Sequence, residues 1–276
     1  MTQPSRFWAD QSTLALSQLD KTRVIAVLPV AATEQHGPHL PLSVDTDLAE
    51  GIVQACLPHL PDGLPALFLP TQSVGYSPEH ARFAGTLTLK SETVIRLWTD
   101  IAESVAASGV RKLVRFNSHG GQVSVMDIVA RDLRARLDML VYSVSWFNLP
   151  LHDAQGHDLL ALVDADEHRF GMHAGQIETA MMLALQPERV QMALARDFPS
   201  SSRERAALFP ILGNGRSAKL AWQMQDYNPQ GAAGHAAAAT ADTGQALGQA
   251  AGRALAALLQ EIDRLPPDTL RSAPQM

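Results

Sequence analysis

The chain has a single cysteine, Cys56, in 276 residues. One thiol cannot close an intramolecular disulfide, so no covalent staple is available to the fold. Cys56 lies in an apolar helical pattern, which reads as a buried, inert thiol rather than a nucleophile. No apolar run reaches the roughly 20 residues that span a bilayer. The opening stretch MTQPSRFWADQS lacks an apolar core of signal-peptide length. There is no basic excess either. Lys and Arg number 22 against 28 Asp and Glu, a net charge of −6. Nucleic acid is therefore not an expected partner, nor is a membrane. With 46% hydrophobic and 18% charged residues, the composition is that of an ordinary globular protein, expected in the cytoplasm.

Short runs of branched apolar residues predict buried strands at 24–30, 66–70, 112–116 and 140–146. Helical spacing predicts helices at 46–57, 91–108, 122–137 and 174–185. Strands alternating with helices imply an α/β fold, a mostly parallel sheet covered on both faces. Residues 196–235 are rich in Gly, Ser and Pro. They read as irregular surface loops or an insertion folded over a site. Residues 236–262 predict a long alanine-rich helix, suited to close packing or an interface. No repeat or linker divides the chain, so one domain over 1–264 is expected, with a frayed tail at 265–276.

In open α/β sheets, ligands bind beyond the carboxyl ends of the strands. Two predicted strands end on polar clusters. The first runs into Glu34-Gln35-His36-Gly37, the second into Asn117-Ser118-His119-Gly120-Gly121. Glu34 and His36 share a face if the backbone is extended. Asp45 precedes a predicted helix, where an acid also serves as an N-cap. A third segment, MHAGQIETAMML at 172–183, sets Glu178 in an apolar helix five residues after His173. A carboxylate in such company needs a partner, and a metal is one. Mixed imidazole and carboxylate donors suit zinc or manganese.

Four segments together resemble the creatininase family of amidohydrolases. They are EQHGPHLPLSVDTD at 34–47, GYSPEHARFAGTLTL at 75–89, NSHGGQ at 117–122 and HAGQIET at 173–179. A weaker likeness continues in GAAGHAAAATADTG at 231–244. The resemblance implies a three-layer α/β/α fold and two divalent metal ions per chain. It implies Glu34, Asp45 and His119 on one ion and His36, Asp45 and Glu178 on the other, Asp45 bridging. It further implies that a metal-bridging hydroxide attacks an amide carbon while His173 passes a proton to the leaving nitrogen. Motif register favours Asp45 as the bridge, with Asp47 the alternative. Tyr76, His80, Trp146 and Arg169 are candidate substrate-binding residues. Glu79 reads as a solvated residue of a tight loop set by Pro78.

The chain departs from the pattern in places. Creatinine-cleaving members carry a ligating glutamate where this chain has Gly121, and the family commonly has a glutamate in place of Gln176. Arg169 stands where those members have a tryptophan. It could pair with an anionic substrate group or lie on the surface. The implied activity is therefore hydrolysis of a C–N bond in a small cyclic or linear amide or a formamide, not of creatinine. A metallopeptidase maturing a modified peptide is the alternative, and a non-catalytic α/β binding protein a third reading. The resemblance also implies a homo-oligomer, of which a hexamer is one form.

Overall fold

The structure is a computed structural model that describes residues 5–271, 273 and 274. The apolar run after Arg23 becomes β1 (Ile25–Val30), buried at every residue. It lies between β2 (Ala66–Phe68) and β3 (Lys112–Asn117), and β3 pairs on its far side with β4 (Leu140–Ser145). The order is β2-β1-β3-β4, and every pairing is parallel. The chain order reverses direction at β1 and β3, which puts a ligand crevice at their carboxyl ends.

Nine α-helices are described. They are α1 (Thr13–Gln18), α2 (Val44–Cys56), α3 (Ser91–Ala107), α4 (Val123–Leu137), α5 (Ala165–Phe170), α6 (Gln176–Leu185), α7 (Ser201–Leu208), α8 (Met224–Tyr227) and α9 (Ala241–Asp263). Side chains of β1 alternate between two cores, as the two-residue strand period requires. Ile25 and Val27 join Val114, Phe116 and the inner faces of α2, α6 and α9. Ala26, Leu28 and Val30 join Leu113, Trp98, Val129 and Leu133 under α3 and α4. The result is the three-layer α/β/α arrangement.

Small residues let the first of these layers close. A Cβ on Gly244 of α9 would lie 1.8 Å from the Ala180 carbonyl of α6, and one on Gly252 would lie 2.6 Å from Ala55 of α2. The alanine and glycine content of α9 thus serves close helix packing. Cys56 is buried in this core, and burial pushes its thiol up to about 12, too high for a nucleophile at neutral pH.

Several expectations shift. Helix α2 starts at Val44, so Asp45 is a first-turn residue and not the N-cap. The alanine-rich helix starts at Ala241, capped by Thr240, whose hydroxyl accepts from the Thr243 amide at 3.2 Å. Stretch 196–235 is less irregular than its composition implies. It holds α7, α8 and a two-stranded antiparallel ladder of β5 (Asp197–Phe198) and β6 (Gly234–His235). The expected tail at 265–276 falls partly outside the described residues, at 272, 275 and 276. Among the described residues, no helix is long and apolar enough to cross a membrane.

Candidate metal centre

Beyond β1 the chain turns through Glu34 and His36. Gly37 follows at φ 66°, where a Cβ would also meet Ala232 at 2.9 Å, so the turn needs glycine. Glu34, His36, Asp45 and His119 are all buried. Glu34 Oε1 lies 3.2 Å from His119 Nδ1, and Asp45 Oδ2 lies 3.5 Å from that same nitrogen. His36 Nε2 lies 3.7 Å from Asp45 Oδ1 and 4.0 Å from Glu178 Oε2. Asp45 therefore stands between the two histidines. Asp47 points elsewhere, accepting from Ser43 Oγ at 2.7 Å and meeting Arg189 at 3.5 Å.

Ligand atoms gather into overlapping groups among the described residues: Glu34, Asp45 and His119; His36, His173 and Glu178; and Glu34, His80 and His173. The tautomers suit a cation. His36 Nδ1 donates to the Glu34 carbonyl at 3.0 Å, which leaves Nε2 as the nitrogen where a metal can replace a proton. His36 Nε2 and Asp45 Oδ2 are buried with no hydrogen-bond partner. Buried polar atoms without a partner are costly unless something takes them, and a divalent metal in place of the His36 proton would take both, so the residues present fit such an ion.

Electrostatics tie these groups together. Burial lowers the affinity of His36 for a proton, but Asp45, Glu178 and Glu34 outweigh it and raise the imidazole to about 9. Burial opposes the charged form of His119 too, yet Glu34 and Asp45 hold its pKa well above the usual range. Burial and then the Glu34 charge raise Asp45 to about 6. Burial pushes Glu34 upward, but the His119, His80 and His173 imidazoles hold it well below the usual carboxylate range. Burial and His36 lower His173, and burial and His173 lower His80 to about 2.

His173 precedes α6 on a bridge to Ala233, and Ala174 follows it at φ 53°. Its Nε2 donates to the Gln35 carbonyl at 2.7 Å, and its Nδ1 lies 3.8 Å from Glu34. Glu178 Oε2 accepts from the Ala174 amide at 2.6 Å. The Gln176 side chain turns away, its Nε2 donating to the Ala238 carbonyl at 3.5 Å, while its backbone N–H donates to Glu167 at 2.6 Å.

A cavity of about 620 Å³ opens over this cluster. Glu34, Asp45, His119, His173 and Glu178 line it, with an apolar wall of Trp146, Phe147, Leu151, Leu160, Ile177 and Trp222. Of the candidate substrate-binding residues, His80 and Trp146 line this cavity. Tyr76 does not: its ring packs on the α3/α4 core, and only its carbonyl reaches the site, 3.1 Å from His119 Nε2. Arg169 stacks over Phe170 at 4.8 Å, outside the cavity wall.

Sequence reasoning passed over several contributors. Gln35 is buried, and its Nε2 donates to His80 Nδ1 at 2.7 Å. Ser77 donates to Glu34 Oε2. Glu167 is buried and lines the cavity, where its carboxylate gathers backbone amides. Trp222 meets His80 edge-on at 6.2 Å. The motif EQH held the first signal, since Gln35 sits between two candidate ligands. Trp222 lies in the stretch read as surface loops or an insertion folded over a site, where no periodicity singles it out.

The family model for creatininase, described as creatinine amidohydrolase, matches residues 9–259. The chain belongs to the creatininase family. A mycofactocin precursor peptide peptidase of Mycobacterium ulcerans is 31% identical over 234 residues, covering 83% of this chain and 82% of its own length. A protein of the same name from Mycobacterium tuberculosis is 39% identical over 125 residues, 43% of this chain and 49% of its own length, so the chain spans about half of that relative. A solved structure named "Creatininase Mn" superposes with a TM-score of 0.71 at 22% identity, covering 95% of this chain and 100% of that one. At that identity the likeness to this creatininase is one of fold.

Proposed function

We propose that this chain hydrolyses a carbon–nitrogen amide bond with two divalent metal ions, and that its substrate is a peptide-like amide. In this reading Glu34, Asp45 and His119 hold one ion, and His36, Asp45 and Glu178 hold the other. Zinc or manganese suits that mixed donor set. The observation that carries the reading is the convergence of Glu34, Asp45, His119 and Glu178 on the cavity floor with His36 buried against them, His36 Nε2 and Asp45 Oδ2 being left without partners.

When bound, such a metal pair lowers the pKa of a shared water and polarises the scissile carbonyl. The chain's own groups supply the rest. The Gln35 carbonyl fixes the proton of His173 on Nε2, so Nδ1 is the atom facing the cavity floor. Because burial lowers the His173 pKa, the ring is neutral near pH 7. It can take the proton given up by the attacking water at Nδ1 and deliver it to the leaving nitrogen as the C–N bond breaks. Ser77 steadies the Glu34 carboxylate from behind.

Size and lining favour a peptide-like substrate over a small ring. A cavity of about 620 Å³ falls in the range of about 300–1,000 Å³ that holds drug-sized ligands. Its aromatic and aliphatic wall suits an apolar side chain beside the scissile bond. The peptidase name of the M. ulcerans relative agrees with this choice. A small amide or formamide is the second reading, since the metal chemistry would be shared. The test is a panel of short peptides, formamides and cyclic amides on zinc- or manganese-loaded protein. Turnover of peptides with an apolar residue at the cleaved bond, abolished by a chelator, supports the proposal. Turnover of formamides or small rings alone moves the assignment to the second reading. A homo-oligomer belongs to the same proposal. The exposed Leu208, Phe209, Ile211 and Leu212 offer an apolar surface for it, and light scattering reads the mass.

A further inference from the structure

Glu79 belongs to the GYSPEH loop, where its neighbours Ser77 and Pro78 give every sign of a solvated turn. It is instead buried, 7% exposed, and its Oε1 is unpaired apart from the approach of His119. That oxygen lies 3.3 Å from His119 Nε2. The Tyr76 carbonyl lies 3.1 Å from the same nitrogen. The other nitrogen of the ring, Nδ1, faces Glu34 at 3.2 Å and Asp45 at 3.5 Å. His119 is thus held between two sets of acceptors, one on the cavity floor and one behind it. Two acceptors behind Nε2 require that nitrogen to carry the proton. The lone pair is then on Nδ1, where the Glu34 and Asp45 carboxylates converge.

The space for Glu79 exists because position 121 has no side chain. A Cβ on Gly121 would lie 1.6 Å from Glu79 Oε1 and 2.6 Å from His119 Nε2. No small adjustment relieves a 1.6 Å approach. A side chain at 121 and the Glu79 carboxylate are therefore alternative occupants of one volume. If Glu79 only filled space, a neutral side chain would do so without burying a carboxylate.

We propose that Glu79 is a positioning residue for His119. Its carboxylate accepts the Nε2 proton, fixes the tautomer and plane of the ring, and so presents Nδ1 to a metal, while Gly121 is bare to admit it. The proposal rests on the metal-site reading above. Carboxylates behind a ligating histidine typically contribute 10–100-fold to metal affinity.

The experiment is zinc binding by chelator competition in the full chain, with E79Q, E79A and G121A beside the unaltered protein. The expected result is a 10–100-fold weaker affinity in E79A for one of the two ions, with a smaller loss in E79Q, which retains a neutral acceptor. G121A should behave like E79A although Glu79 is still present, because its methyl displaces the carboxylate. The metal-free melting temperature of E79Q, which keeps the shape and a neutral acceptor, should stay close to that of the unaltered chain while its zinc affinity falls, a split that a purely structural role would not predict. Should the variants fail to fold, nitrogen NMR of the zinc-loaded unaltered chain reads the His119 tautomer directly. A proton on Nε2 supports the proposal, and a proton on Nδ1 overturns it. Undiminished zinc affinity in E79A overturns this proposal alone. No zinc binding by the unaltered chain overturns the metal-site reading and this proposal with it.

Discussion

Filling the candidate site with metal should expel protons, and the number can be worked from the structure. His36 is raised to about 9, so at pH 7 its imidazole carries the proton that a cation must replace. Two pH units below that value, about one ring in a hundred is neutral. The displacement costs about 3 kcal/mol. Affinity at the His36-bearing site should then rise about tenfold per pH unit from 7 toward 9 and flatten above. His119, also raised by its carboxylate neighbours, supplies the proton for the other ion. The expected release is about one proton per ion bound at pH 7. The metal-free fold responds in the opposite sense. A histidine raised above its usual 6.5 stabilises the fold fully below that pH, and this stability is lost as pH rises through about 9. Asp45, raised to about 6 from the usual 3.8, likewise favours the fold at low pH and loses that contribution as pH rises through about 6. Metal-free protein should therefore melt lower at pH 9 than at pH 6.5, while metal binding grows stronger. Zinc calorimetry in buffers of different ionisation heat reads the proton count. Heats independent of buffer, with affinity flat from pH 7 to 9, would refute the reasoning.

His173→Ala should lower kcat by about 10²–10⁴-fold while metal content stays unchanged, and unaltered turnover of a genuine substrate would remove His173 from the mechanism. Trp222→Ala strips an aromatic from the cavity wall and should raise KM roughly tenfold, about 1.4 kcal/mol, with little change in kcat. An equal fall in kcat and kcat/KM would instead place Trp222 in the chemical step. Glu167 accepts from the Gln176 amide at 2.6 Å and the His235 amide at 2.7 Å, tying the start of α6 to β6. Glu167→Ala leaves both donors unpaired and should cost about 2–4 kcal/mol in chemical denaturation, and a loss below about 0.5 kcal/mol would show that water replaces the carboxylate.

Much of this architecture is legible in the chain because its signals are local. The run of β1 is apolar throughout and that of β3 is broken only by the buried Arg115 and its last residue, Asn117; the parallel register sets Val30 opposite Asn117, so the polar clusters that follow the two strands lie side by side. Glu34, His36, Asp45 and His119 follow from those two strand ends. What was not legible depends on contacts between distant segments. Glu79 reads as solvated until Gly121, 42 positions away by number, opens space for it. Tyr76 reads as a pocket residue, yet its ring is drawn to the α3/α4 core. Trp222 and Lys219 reach the cavity from the stretch that composition reads as surface loops or an insertion folded over a site, and composition does not say which of its residues face the site. Short elements such as β5, β6 and α8 are set by tertiary pairing and leave little periodicity to read.

The central claim is a bridged pair of metal ions. Metal content per chain, measured by mass spectrometry on protein purified without chelators and then reconstituted with zinc or manganese, tests it most directly. The account predicts about two ions per chain, falling when Asp45 is changed to Ala, because Asp45 stands between His36 and His119 at 3.7 and 3.5 Å. No bound ion after reconstitution, or a count indifferent to Asp45→Ala, would contradict it.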